Sequence, residues 1–310
     1  MRSFIDRINS LYVVWLLALS AVAFWEPRSM LWFDQRWIFW SLAASMLGMG
    51  LSLSLDDFRS VARMSGCVAL GFGLQYTVMP LGGWLIATLL GLDADLKVGL
   101  VLVASCPGGM ASNMISYLAQ ADVALSVVLT LCSTMLAFIF TPLWTTLLAG
   151  RLVPVDAWGL CLSALQLTVA PVAVGVLLRW LLPRTADRLG ACGPTIAMLA
   201  FVLVTGGIVA ASAEAIAAHF GRLMLAAFGL HVLGFALGFA IPRAFGLSET
   251  VARTVSIEVG MQNGGLAASL ARQHFAAMPM TAAAGVFSGV MQNVLGGLLA
   301  TFWKGRQIRR

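Results

Sequence analysis

The sequence predicts an all-α polytopic membrane protein with ten transmembrane helices in two inverted five-helix repeats. Three observations carry that prediction. First, 60% of the 310 residues are hydrophobic and only 10% are charged, with a mean hydropathy of +0.92; a soluble chain carries about 25% charged residues. Second, apolar runs that approach the roughly 20 residues needed to cross a bilayer recur ten times, separated by short connections. Third, two of these runs are interrupted by glycine and polar residues at corresponding places in the two halves of the chain.

The runs occupy 10–26, 37–55, 65–90, 97–119, 123–149, 155–181, 193–213, 222–244, 248–273 and 280–303. Arg2 and Arg7 ahead of an apolar run from Leu11, with Ala21-Val22-Ala23 behind it, also resemble a cleavable signal peptide. The bulky Phe24-Trp25 suits a membrane-interface anchor, and the charge count favours a retained first span. Connections such as Asp56-Asp57-Phe58-Arg59 are short, leaving no room for a soluble domain.

Lys and Arg divide unevenly between the two sides. The N-terminus, the even connections and the C-terminal tail hold 13 of the 19: Arg2, Arg7, Arg59, Arg63, Arg179, Arg184, Arg188, Arg243, Arg253, Lys304, Arg306, Arg309 and Arg310. The odd connections hold the other 6: Arg28, Arg36, Lys97, Arg151, Arg222 and Arg272. The positive-inside rule then puts both termini in the cytoplasm, as an even number of spans requires. Basic loops on one face account for the net charge of +6, which is no nucleic-acid signal. The five cysteines, Cys67, Cys106, Cys132, Cys161 and Cys192, lie singly in apolar stretches. Without CxxC spacing or a nearby His they read as small apolar packing residues, not as a disulfide framework or zinc site.

The fourth run carries CPGGMASN (106–113) and the ninth carries EVGMQNGG (258–265), so Gly109-Met110 and Gly260-Met261 stand 151 residues apart. Each break is followed by a small apolar half-span, a polar hinge (AQAD at 119–122, ARQH at 271–274) and a long final span. The expected repeats are 1–150 and 151–310; five spans is an odd number, so the second repeat enters the membrane upside down. Paired broken helices in inverted repeats point to the binding site of a secondary transporter, because irregular backbone survives at membrane depth only where protein or a polar cavity satisfies it. Pro107-Gly108-Gly109 cannot comfortably continue a helix. The plain alternative is two ordinary kinks, against which stands the clustering of polar side chains at both breaks.

Of thirteen acids, twelve fall in loops, tails or span ends, with Glu214 the closest case. Glu258 lies about ten residues into its span, roughly 15 Å deep at 1.5 Å per residue. An unpaired carboxylate there costs several kcal/mol, and no Lys or Arg occupies the middle of any span to neutralise it. A bound cation or a proton must do so. Ser112, Asn113, Gln75, Gln262 and Asn263 offer oxygens, as do Ser126 and Thr130, four apart on one helical face. Hard cations take oxygen ligands, and carbonyls freed by unwinding at Val259 and Met261 would add to the shell. Singly, each has a plain reading: hydroxyls bond back to their own helix, and amides tie helices together. A proton-coupled carrier would use Glu258 as its titrating group. An intramembrane hydrolase would need a nucleophile and base, for which Ser288 and His231 are weak candidates; His231 reads better as a helix-packing residue.

ASNMISYLAQADVALSVVLT (111–130), SIEVGMQNGGLAASLA (256–271) and, less specifically, LGMGLSLSLDDF (47–58) resemble the bile acid:sodium symporter family. The resemblance implies a core domain of spans 3–5 and 8–10, a panel of spans 1, 2, 6 and 7, and crossing of the broken spans four and nine. It implies two sodium ions: one held by Ser112, Asn113, Ser126, Thr130 and Glu258, the other by Gln75, Glu258, Gln262 and the carbonyls of Val259 and Met261. The substrate, a small organic anion, would sit between core and panel near Met110, Ala111, Asn263, Gln292 and Asn293. Helix N-termini at the breaks would face its carboxylate. Bile-acid-binding members often carry His where this chain has Gln292, and many a small hydroxyl residue in place of Met110. The implied substrates therefore extend to pantothenate-precursor-like and other carboxylates. The expected function is sodium-coupled symport by alternating access in a bacterial inner membrane, not enzymatic catalysis. The partners are the anion and the bilayer, with no nucleic acid and no protein partner.

Overall fold

The computed structural model describes residues 12–109, 111–190 and 193–307. Readings that fall on Arg2, Arg7, Met110, Cys192, Arg309 and Arg310 lie outside those residues. Among the described residues all regular structure is helical, and Gly108 and Gln262 form an isolated antiparallel bridge. In chain order the helices are α1 Tyr12–Trp25, α2 Gln35–Ser52, α3 Leu55–Arg63, α4 Ser65–Leu89, α5 Ala94–Ala104, α6 Ala111–Leu118 and α7 Val123–Ala149. There follow α8 Ala157–Leu181, with a π turn at Leu165–Val169, and α9 Pro183–Gly190, α10 Gly193–Ala211, α11 Ala213–Ala244, α12 Glu249–Gly260, α13 Gly264–His274 and α14 Pro279–Gln307.

Short polar residues start many of these helices by accepting from an otherwise orphaned N–H. Asp34 does so for α2, Asp122 for α7, Asp156 for α8, Ser248 for α12 and Asn263 for α13, each worth about 1 kcal/mol. The segment treated as a bare connection around Asp56–Arg59 is instead the amphipathic helix α3. Ser54 and Asp57 form a reciprocal capping box there, which satisfies donors at both positions and nucleates the turn.

Four described helices are long and apolar enough to cross a membrane on their own: Val123–Ala149, Ala157–Leu181, Ile216–Ala244 and Pro279–Lys304. The fourth and ninth runs are each split, as the sequence predicts. Between α5 and α6 lies Pro107, which has no N–H to offer; between α12 and α13, Met261 turns extended at φ −123° and ψ 118°.

The helices pack as two sets joined where α7 lies along α8. In one, α2 lies against α8 and α10, and α10 against α1. In the other, α5 is buried from Val98 through Ala104 among α4, α7 and α14, while α12 packs along α11 and α4. The two half-helices differ sharply in cover. α13 is buried from Gly264 to Ala271 and touches α2, α8 and α10 of the first set. The neighbours of α6 are α7, α12 and α14, and it leaves Met114 50% and Tyr117 69% exposed.

α13 approaches α14 on small residues, Gly264 and Ala268 facing Gly285 and Gly289. A β-carbon added to Gly285 would stand 2.8 Å from Gly264 O and 2.9 Å from Ala268 N. Those are main-chain atoms that cannot swing aside, the close approach that small residues permit in membranes. Gly285→Val is therefore expected to cost about 1–3 kcal/mol and lower Tm in detergent by about 5 °C. Gly297, whose added β-carbon meets nothing within 4 Å, should tolerate Ala with unchanged or higher Tm. Equal losses at both positions would contradict this packing.

Candidate functional site

The two breaks cross, and the main-chain groups that each helix forfeits are satisfied by the other. Gly109 N–H donates to Met261 O (3.1 Å), and Asn263 N–H to Pro107 O (2.8 Å). Gly108 N–H donates to Ser133 Oγ on α7 (3.3 Å). A β-carbon on Gly108 would come within 2.8 Å of Glu258 Oε2, and one on Gly109 within 2.7 Å of Gln262 O. Glycine at 109 lets the two backbones meet, and glycine at 108 leaves room for the Glu258 carboxylate. The crossing thus meets the requirement that irregular backbone in a bilayer be paired within the protein.

Beside the crossing, the Glu258 carboxylate on α12 is buried and ringed by hydroxyls. Oε1 accepts from Ser112 Oγ at 2.6 Å, Ser126 Oγ at 2.5 Å and Thr130 Oγ1 at 3.0 Å, and Oε2 lies 2.9 Å from Thr130 Oγ1. Asn113 Oδ1 is 2.9 Å from Ser126 Oγ. A serine hydroxyl has one proton, so Ser126 donates to Glu258 or to Asn113 but not to both at once. Five oxygen-bearing side chains from α6, α7 and α12 therefore converge on one point, and Glu258's partners are hydroxyls rather than a cationic side chain. An all-oxygen set with one full negative charge suits a hard cation.

Of the second predicted set, Gln75, Gln262 and Val259 are joined directly. Gln75 Nε2 on α4 donates to Cys106 O (3.1 Å) and Gln262 Oε1 (2.9 Å), while Gln262 Nε2 donates to Val259 O (3.1 Å). Met261 O is engaged by Gly109 N–H, with a second lone pair left over.

The residues predicted for the substrate have definite partners here. Gln292 pairs with the main chain of Gln262 on both sides of its amide: Oε1 accepts from N–H at 2.6 Å, and Nε2 donates to the carbonyl at 2.8 Å. Asn263 Oδ1 caps α13 through Leu266 N–H (3.0 Å), and Asn293 Nδ2 bonds to Gly289 O in its own helix (2.6 Å). Ala111 begins α6 beside the crossing; Met110 lies outside the described residues.

Other polar groups at the crossing escaped the sequence reading. Ser116 supports Ser126 (3.1 Å), and Ser133 receives Gly108 N–H. Both continue visible helical faces, Ser116 four residues after Ser112 and Ser133 seven after Ser126. His231 and Ser288 do meet, Nε2 to Oγ at 2.7 Å, but the other ring nitrogen faces Gly260 O at 2.8 Å rather than a carboxylate. Arg253, counted above with the connections, is buried within α12. Its guanidinium reaches Glu249 Oε1 (2.6 Å) and Ala119 O (3.2 Å), and lies 5.6 Å from the centre of the Trp303 ring.

This chain matches the family model described as sodium bile acid symporter family over residues 40–219. It is 41% identical to the probable sodium/metabolite cotransporter BASS1, chloroplastic, of Oryza sativa subsp. japonica, over 94% of this chain and 72% of that protein. It is 38% identical to the rice protein named probable sodium/metabolite cotransporter BASS2, chloroplastic, over 97% and 72% of the two chains. With YocS of Bacillus subtilis (strain 168), named an uncharacterized sodium-dependent transporter, it shares 34% identity over 94% and 89%. These relatives are named as transporters rather than enzymes, and with the match across more than half its length, this membrane protein belongs to the sodium bile acid symporter family.

Proposed function

We propose that this chain is a sodium-coupled symporter of a small organic anion, working by alternating access in a bacterial inner membrane with both termini in the cytoplasm. The relatives' description as sodium/metabolite cotransporters supports a metabolite carboxylate as cargo. The observation that carries the proposal is the buried Glu258 carboxylate, ringed by oxygens of α6 and α7 at the crossing. One sodium ion takes the Ser112, Asn113, Ser126, Thr130 and Glu258 oxygens. A second takes Gln75, Glu258, Gln262 and the Val259 and Met261 carbonyls. Sodium draws α6, α7 and α12 together, and the anion enters beside the crossing near Met110, Ala111, Asn263, Gln292 and Asn293.

The architecture proposed is ten spans in two inverted repeats, 1–150 and 151–310. α1, α2, α8 and α10 form the panel, and the remaining spans form the core. The two packing sets support that division. The covered α13 and open α6 fit a state closed at the outer face, where α13 ends, and open at the cytoplasmic face. Each sodium ion entering down a 100 mV potential adds about 2.3 kcal/mol of drive.

In proteoliposomes loaded for an inward gradient, a screen of organic anions should find one taken up at least about ten-fold faster with external sodium than with potassium. Equal uptake in the two salts would end the sodium proposal, and dependence on a pH gradient instead would favour Glu258 as a proton carrier.

A further inference from the structure

We propose that His231 on α11, outside both ion-ligand sets, is a positioning residue that sets sodium affinity by holding the Gly260–Met261 peptide. The proposal rests on the sodium reading above. Gly260 closes α12, and because the chain turns extended at Met261, its carbonyl has no N–H one turn ahead to accept from. His231, fully buried, supplies the missing donor: Nδ1 is 2.8 Å from Gly260 O, and since a carbonyl only accepts, Nδ1 carries the proton. In the neutral ring Nε2 is then an acceptor, and Ser288 Oγ on α14 donates to it at 2.7 Å. The Gly260 carbonyl thus sets the tautomer, and the Ser288 bond to the second nitrogen holds the ring in the plane that reaches it.

The bond matters because of where the next carbonyl points. Gly260 O is held toward α11, while Met261 O faces the crossing and receives Gly109 N–H. Val259 O, on the other side of Gly260, takes Gln262 Nε2. α11 also lies against this peptide: a β-carbon on Gly234, three residues after His231 on the same helix face, would stand 3.0 Å from Gly260 Cα and 3.2 Å from Val259 O. The imidazole bond fixes the plane of the Gly260–Met261 peptide, and that plane sets φ at Met261. Without that donor Gly260 O is buried unpaired, and the peptide gains by turning toward other donors. That turn changes φ at Met261 and with it the direction of the next carbonyl, which weakens its place in the second ion's shell.

The test uses the full chain in detergent and sodium chloride alone as probe, with potassium chloride holding ionic strength constant. The readout is the sodium concentration that half-saturates the change in tryptophan fluorescence at constant temperature, set beside the Tm without sodium, because ligand stabilisation itself grows with log concentration. His231→Leu should raise that midpoint roughly ten-fold. His231→Asn places an amide N–H where Nδ1 stands and should stay within about three-fold of wild type. Ser288→Ala, which removes the second hold on the ring's orientation, should fall between the two. A wild-type midpoint in His231→Leu overturns the proposal, whatever happens to the sodium-free Tm, because a merely structural role would move only the latter. If that variant does not fold, Ser288→Ala decides, and an unshifted midpoint overturns the proposal. A wild-type protein without any sodium response overturns the sodium reading and this inference together; a responding wild type with unmoved variants overturns this inference alone.

Discussion

Glu258→Ala is expected to abolish sodium-driven uptake, by at least about a hundred-fold, and to erase the rise in Tm that sodium produces. Removing one member of a buried, mutually compensating charge pair costs about 3–5 kcal/mol, and every 1.4 kcal/mol is a factor of ten in affinity. Here the carboxylate is the common member of both proposed ion shells, so the two affinities should fall together. Alanine also strips Ser112, Ser126 and Thr130 of the acceptor that all three share, so part of its effect would be structural. Glu258→Gln separates the contributions. It keeps the length and one acceptor oxygen and exchanges the charge and the other oxygen for an NH2 that a hydroxyl oxygen can accept, so it should fold with a sodium-free Tm near wild type and still show no sodium response. Uptake in proteoliposomes and Tm against sodium concentration measure the two effects. A glutamine variant that sodium stabilises as it does wild type would remove Glu258 from the ion sites.

The site was partly legible because its central anomaly is compositional. A single carboxylate inside an apolar run is visible without any structure, and Ser126 and Thr130 share a helix face by spacing alone. Their meeting with Ser112 and Asn113 across two breaks depends on α6 lying between α7 and α12. The paired positions of PGGM and VGM suggested that arrangement, and no local rule could place it. What stayed hidden depends on packing between elements remote in sequence. His231 reads as an isolated polar residue on α11, and nothing near it reveals that Gly260 O lies against its ring. Gln292 enters the pocket only through the family resemblance, and its pairing with both polar atoms of the Gln262 main chain has no local signal. Arg253 looked like one more basic residue near a span end. Its burial follows from Trp303 and Ala119 O closing over it, neither of which is near it in sequence. The helix α3 was legible in principle: Ser54 three residues before Asp57 is a capping-box pattern, but two acids in a short connection look equally like a solvated loop.

The asymmetry between α6 and α13 leads to the second large effect. In a rocking carrier closed at the face where α13 ends, the contact between α13 and the first helix set must part once per cycle. Its composition suits a contact that opens. Phe201 of α10 wedges against Gly265 and Gly289. One turn on from Phe201 and Gly265, the buried hydroxyls of Thr205 and Ser269 have no hydrogen-bond partner among the described residues, so opening this contact to water would favour both. At the rim, His274 of α13 meets Ser163 of α8, Nε2 to Oγ at 2.8 Å, and Ser163→Cys turns this pair into a metal clasp. Zinc sits about 2.3 Å from thiolate sulfur and about 2.0–2.1 Å from imidazole nitrogen, so the two atoms need only a small side-chain rotation to share an ion. Micromolar zinc should then cut uptake by the Ser163→Cys variant about ten-fold or more, since binding one state alone shifts the equilibrium by its full affinity. A chelator should restore it. Wild type, with its native cysteines, and the Ser163→Cys/His274→Ala double variant should keep their uptake in zinc. If zinc binds the single variant at one ion per chain and uptake continues, the α8–α13 contact does not part during transport, and the closing face must be sought elsewhere.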